Sequence, residues 1–155
     1  MRPRPRPAPR KRPASRMECL LSPRAAEPVG PYPHAVRAGN LLFLSGIGPR
    51  RRGSKDIPGV TLDPAGEPAS YDFEVQCRAA FDNVRFILED AGSGLDRVVD
   101  FTAFLTHLKS DFKLFNRVYA EYFPDPTRRP ARTTVEVSRL PTPIAVEFKL
   151  VALAG

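Results

Sequence analysis

The chain is poor in the groups that carry most catalysed chemistry. It has two cysteines, Cys19 and Cys77, and two histidines, His34 and His107. One cysteine lies near the start and the other inside a helical pattern. No disulfide framework follows, and the pair suits a reducing, cytoplasmic compartment. Neither histidine has a cysteine or carboxylate at metal-ligand spacing, so no metal site is expected. No glycine-rich loop opens a helix, because Gly92-Ser93-Gly94 closes one, and a phosphate cradle is excluded. Ser45 in LSGIG superficially suggests a nucleophile elbow, but no helix follows and no His–Asp pair is placed to serve it. No apolar run approaches the ~20 residues of a membrane-spanning helix.

Positive charge, by contrast, looks abundant. The formal net charge is +7, yet residues 1–16 (MRPRPRPAPRKRPASR) hold seven basic residues and no acid. The remaining 17 basic residues balance 17 acidic ones, so the folded body is formally neutral. The first 16 residues also hold five of the 18 prolines and almost nothing apolar. Such a segment buries too little surface to offset its ordering entropy and reads as a disordered basic tail. Alternatively, Met17 begins the native protein. A nucleic-acid partner is expected only through this tail, and the body shows no interleaved exposed aromatics for RNA. Residues 17–29 read as a flexible lead-in, and residues 30–155 as a single domain.

Within that domain the apolar pattern gives the elements. Pro33–Ala38 and Leu41–Ile47 are strands around a Gly39-Asn40 hairpin turn. Residues 48–69 form a long, polar connection with a short strand near Val60, and ordered loops of this length tend to be functional. Tyr71–Ala91 is a helix, capped by Ser70 and closed by Gly92. Its apolar stripe runs through Cys77, Ala80, Val84 and Ile87. Val98–Leu105 is a strand. Asp111–Phe123 is a second helix, with Phe112, Phe115, Tyr119 and Tyr122 on one face, stopped by Pro124 and Pro126. Arg132–Val137 and Ile144–Leu153 close the chain as strands. The order β-β-(β)-α-β-α-β-β predicts an α+β sandwich with two helices on one face of a mixed sheet.

The closing strands carry charge in their middles. If residues 138–143 form a hairpin loop, Val137 pairs with Ile144 and Thr134 lies opposite Glu147. Arg132 then sits one diagonal away, and Arg132, Thr134 and Glu147 share the helix-free face. Two readings stay open for that face. It is either a solvated side of an antiparallel sheet, or it is buried against another subunit with a charged pocket at the seam.

Five stretches carry a resemblance: GPYPHAV (30–36), LFLSGIG (42–48), FDNVRFILEDAG (81–92), DFKLFNRVYAEYF (111–123) and RPARTTVEVSRLPTPIAVEFKLVAL (129–153). In order and spacing they resemble the Rid (YjgF-like) family of enamine/imine deaminases. The resemblance implies a chorismate-mutase-like fold, a homotrimer whose sheets form a central barrel, and substrate sites in the clefts between subunits. It implies no metal or organic cofactor. By position, Arg132 matches the arginine that takes the substrate carboxylate, and Glu147 the glutamate that positions water. Tyr32, Ser45 and Asn116 match pocket-lining positions. Thr134 stands where the family often has a cysteine, which leaves its backbone groups for binding.

The basic stretch at 45–60 resembles the 2-aminomuconate deaminase subgroup. That substrate is a dicarboxylate, and Arg50, Arg51, Arg52 or Lys55 would meet its second carboxylate; otherwise the run is a solvated charge cluster. A protein that only bound a small acid would need the arginine but not the glutamate.

Overall fold

The centre of the sheet is formed by the two strands with the cleanest period of two. In Val98–Leu105, Phe101, Ala103 and Leu105 are buried. In Val146–Leu153, Val146, Phe148, Leu150 and Ala152 are buried. The computed structural model, which describes residues 16–155, pairs these two strands antiparallel from Leu105↔Val146 to Val98↔Ala152, with an irregularity between Val98 and Asp100.

In chain order the elements are β1 (Met17–Leu20), β2 (Ala35–Ala38), β3 (Leu41–Leu44), β4 (Val60–Leu62), β5 (Pro68–Tyr71), α1 (Phe73–Asp90), β6 (Val98–Leu105), α2 (Leu108–Tyr122), β7 (Ala131–Glu136) and β8 (Val146–Leu153), with one 3-10 turn at Leu95–Arg97. The main sheet runs β1-β2-β3-β8-β6-β7, and β4 and β5 form a separate hairpin. The sheet is mixed, since β6 and β7 are parallel. It is an α+β fold with two helices packed on the sheet.

The local chemistry explains most boundaries. Gly39 has φ +62°, the left-handed value that favours glycine, and gives the two-residue turn between β2 and β3. Asp72, not Ser70, caps α1: its carboxylate accepts the Val75 N–H at 3.1 Å. Ser70 belongs instead to β5. At the other end Gly92, φ +77°, donates to Glu89 O, and Ser93 donates to Leu88 O, a Schellman closure.

The core lies between α1, α2 and the sheet. Phe81, Phe101, Phe115 and Phe148 are fully buried, and Phe81 stacks on Tyr122 at 4.1 Å. Each such ring contributes about 1.5–3 kcal/mol by burial alone. Phe112, expected on the same face of α2, is partly exposed at its rim.

Further expectations need correction. Residues 17–29 are more than a lead-in, because Met17–Leu20 adds an edge strand on β2. The tail falls almost wholly outside the described residues. The closing strands are not a hairpin: β7 pairs with β6 in parallel, and β6 separates it from β8. The reason is α2, a crossover that returns the chain to the starting end of β6 and so makes β7 parallel to it. The loop at 137–145 then crosses the end of β6 to reach β8.

Strand β3 also ends earlier than expected. Phe43 pairs with Val151, and the next contact is the Ile47–Phe148 bridge. The β3 side therefore holds one residue more than the β8 side, a bulge at Ser45-Gly46. Bulges of this kind open a ladder locally and re-aim side chains.

Candidate functional site

Glu147 occupies the space opened by that bulge. It alternates with buried Val146 and Phe148, so it points to the helix-free side of the sheet. Gly46 makes the position possible: a Cβ there would stand 2.8 Å from the Glu147 carboxyl carbon. Lys149, on the same face, turns its ammonium to Leu44 O at 3.0 Å and closes the carbonyl left free beside the bulge. Burial pushes the Glu147 carboxyl above the usual carboxylate range, and it is the one cause of the rise.

Beside the carboxylate is a cavity of about 40 Å³, whose walls include Tyr32, Ser45, Gly48, Arg50 and Asn83. That volume is large enough for a water molecule beside the carboxylate. Ser45 is held in place by donating its hydroxyl to Pro33 O at 2.7 Å. A half-buried carboxylate with no hydrogen-bond partner among the described residues, next to a water-sized space, is suited to orienting that water and taking its proton.

Arg132 is elsewhere. It pairs with Phe101, so it lies on the helix side of the sheet, at the edge strand β7. Its guanidinium sits 4.7 Å from the Tyr119 ring centre and 5.0 Å from that of Phe115. One N–H donates to Asn116 Oδ1 at 2.7 Å. Burial lowers its pKa, but an arginine stays charged. Thr134 follows on the same side, and its hydroxyl is buried with no partner. Arg132, Thr134 and Phe112 line an open hollow at the sheet edge. A guanidinium held over aromatic rings, with donors left over, fits a carboxylate.

The expected Arg132–Thr134–Glu147 group is thus not formed within one chain. Thr134 lies beside Ala103, while Glu147 lies opposite Phe104, whose side chain points to the other face. Tyr32, Ser45 and Glu147 come together in one cluster, and Arg132, Asn116 and Thr134 in another.

The basic cluster divides as well. Arg50 lines the Glu147 cavity and donates to Glu27 O. Arg52 donates to Ala25 O, Ser22 O and the Glu27 carboxylate, and so tethers the segment before β2. Arg51 and Lys55 are exposed and do not line the cavity. His34 is structural: its Nδ1 accepts the Ser22 N–H at 2.8 Å and its Nε2 meets Ala26 O at 2.7 Å. Among the described residues no group of three or more His, Cys, Asp or Glu side chains is placed to hold a metal. No helix of the described residues is long and apolar enough to cross a membrane.

Sequence reasoning missed Gly46, Asn83 and the Tyr119–Phe115 platform. The glycine had a visible signal in the Ser-Gly-Ile-Gly break of an apolar strand. The platform had none, because aromatic side chains at helical spacing read as core.

The mixed sheet and the two helices packed on it define an α+β protein of the YjgF/L-PSP fold. The chain belongs to the Rid (YjgF) family: the family described as "Endoribonuclease L-PSP" matches residues 22–154. A RutC family protein of Pyrococcus horikoshii is 39% identical over 136 residues, covering 87% of this chain and 96% of that protein. The chloroplastic Reactive Intermediate Deaminase A of Arabidopsis thaliana is 35% identical over 136 residues, 87% of this chain and 65% of that protein. The crystal structure of a Rid family protein from Yersinia pestis superposes with a TM-score of 0.76 at 30% identity, covering 90% of this chain and all of that one.

Proposed function

We propose that this protein is a hydrolytic deaminase of enamine and imine amino acids, active in the cytoplasm. The observation that carries the reading is the partly desolvated Glu147 carboxylate beside a space sized for water. Arg132 takes the substrate carboxylate. The enamine tautomerises to an imine, whose carbon is electrophilic. Glu147 accepts a proton as water adds to that carbon, then returns it to nitrogen as the carbinolamine collapses. Imine and water become a 2-oxo acid and ammonia. The name of the Arabidopsis relative supports the deaminase class.

Because the two clusters face opposite ways, the working site forms between copies of the chain, which associate as a homotrimer. The helix-free face supports this: Phe43 and Leu153 lie on it, part exposed, in a row of apolar strand residues.

A finer reading concerns the substrate. Arg50 at the cavity wall would meet the distal carboxylate of a dicarboxylic enamine such as 2-aminomuconate. A monocarboxylate such as 2-aminoacrylate needs Arg132 alone. Ammonia release by the purified protein from each compound tests both levels. Release from neither removes the deaminase reading. Release from 2-aminoacrylate only, or equally from both, removes the dicarboxylate preference.

A further inference from the structure

Two amides are buried on one ridge of α1. Gln76 is 0% exposed and Asn83 5%, and seven residues separate them, two helical turns. A buried amide in a helix is costly unless every polar atom is met. Here both are met, and by loops rather than by the helix. Asn83 donates from Nδ2 to Gly48 O at 2.9 Å and to Arg50 O at 2.6 Å, and its Oδ1 accepts the Ala26 N–H at 3.1 Å. Gln76 donates to Pro58 O at 3.0 Å and accepts the Ala145 N–H at 2.8 Å. Gly48, Arg50 and Ala26 all lie outside strands, so no sheet ladder supplies these partners.

The two amides act on different parts of the site. The segment at 25–32 forms one lip of the Glu147 cavity, and the turn at 46–50 forms the other. Asn83 bonds to both. Glu147 itself is held by the β8 ladder and by no bond to Asn83. Gln76 instead holds Ala145, at the entry to β8, two residues before Glu147.

We propose that Asn83 is a positioning residue: one side-chain amide sets the separation of the two lips, and with it the placement of Arg50 and Tyr32 around the substrate. Gln76 sets the entry of β8 and hence the placement of the carboxylate. The inference rests on the deaminase reading for its kinetic consequence but not for its structural one. Loss of Asn83 loosens binding groups and leaves the water-activating group in place, so it raises KM and spares kcat. Loss of Gln76 lowers kcat.

The test combines steady-state kinetics on 2-aminomuconate, the substrate that would reach Arg50, with amide hydrogen exchange on the full chain. In Asn83→Ala, KM should rise about tenfold, in keeping with three lost hydrogen bonds of which part is recovered by water. The kcat and its pH profile should match the parent, and exchange protection should be lost at Ala26, whose N–H Asn83 accepts, and weakened at Ile47, the hydrogen-bonded amide of the second lip. Asn83→Asp keeps an acceptor for Ala26 and loses both donors. It should keep Ala26 protected and still raise KM. Gln76→Ala should lower kcat without such a rise in KM. A fall in kcat at constant KM in Asn83→Ala would overturn the proposal, as a merely destabilising change reduces the active fraction. So would unchanged protection at both lips. If the parent protein releases no ammonia, the deaminase reading fails, and exchange at the lips still decides whether Asn83 holds them.

Discussion

Arg132 and Glu147 lie on opposite faces of one sheet. Glu147 is opposite Phe104 on β6, Phe104 is opposite Val135 on β7, and Arg132 is three residues further along β7. Two strand spacings and three residue rises put their backbones roughly 14 Å apart. A small amino-acid imine cannot touch both within a single chain. Under the proposed function, Arg132 and Glu147 of one chain would therefore serve different seams of the assembly.

Replacing Glu147 by Gln should separate activity from stability. Gln accepts no proton, so turnover should fall by about 10²–10⁴-fold. Stability should move the other way. Burial raises the folded-state pKa, so the protonated form favours folding below the ordinary glutamate value. That contribution is lost as pH rises through the raised value. At neutral pH the ionised carboxylate is a burden on the fold, and Glu147→Gln should melt higher than the parent. Activity of the parent should fall on acidification at a higher pH than an exposed glutamate would give. Thermal melts and a pH–rate profile check both signs.

Gly46→Ala should leave the fold intact and damage the chemistry. Gly46 has no left-handed φ, so alanine suits its backbone. The added methyl would press on the Glu147 carboxyl group at 2.8 Å. A displacement of this kind at a reacting group costs about 10²-fold in rate. Circular dichroism like that of the parent together with a lost kcat is the expected pair of results.

Arg132→Ala should remove productive binding, and Arg132→Lys should restore little of it. The charge-assisted contact is worth about 1.5–3 kcal/mol, or ~10–150-fold in kcat/KM. Lysine keeps the charge but loses the planar fork and its stacking on Tyr119 and Phe115. Kinetics of the two variants on a monocarboxylic imine measure the difference.

Within the basic loop, only Arg50 should discriminate dicarboxylic from monocarboxylic substrates. Arg50→Ala should raise KM for 2-aminomuconate by ~10-fold or more and leave 2-aminoacrylate nearly unchanged. The double change Arg51→Ala with Lys55→Ala should alter neither, since both side chains are exposed away from the cavity.

The elements of this fold were legible where one face is buried and the period is strict. Val98–Leu105 is bounded as its alternation predicts, and α1 differs from its expected span by a residue or two. The helix-side rows of β8 follow from Val146, Phe148, Leu150 and Ala152 alone. Pairing was not legible. A Pro-rich loop between two strands looks like a hairpin, and nothing local announces that β6, dozens of residues earlier, lies between them. The face of Arg132 was hidden for a related reason. On an edge strand both sides are partly wet, so the alternation that fixes a face is weak. The charged residues of β7 and β8 were visible in the sequence; their placement on opposite faces needed the register.

The most direct test of the central claim mixes two inactive proteins. Arg132→Ala retains Glu147, and Glu147→Gln retains Arg132. Co-refolded as a trimer in equal amounts, random assembly should give about a quarter of the parent activity per chain, because a mixed trimer regains one intact seam. Such recovery, absent from either variant alone, is the predicted result. Mixed assemblies that form but stay as inactive as their components would contradict a site shared between subunits.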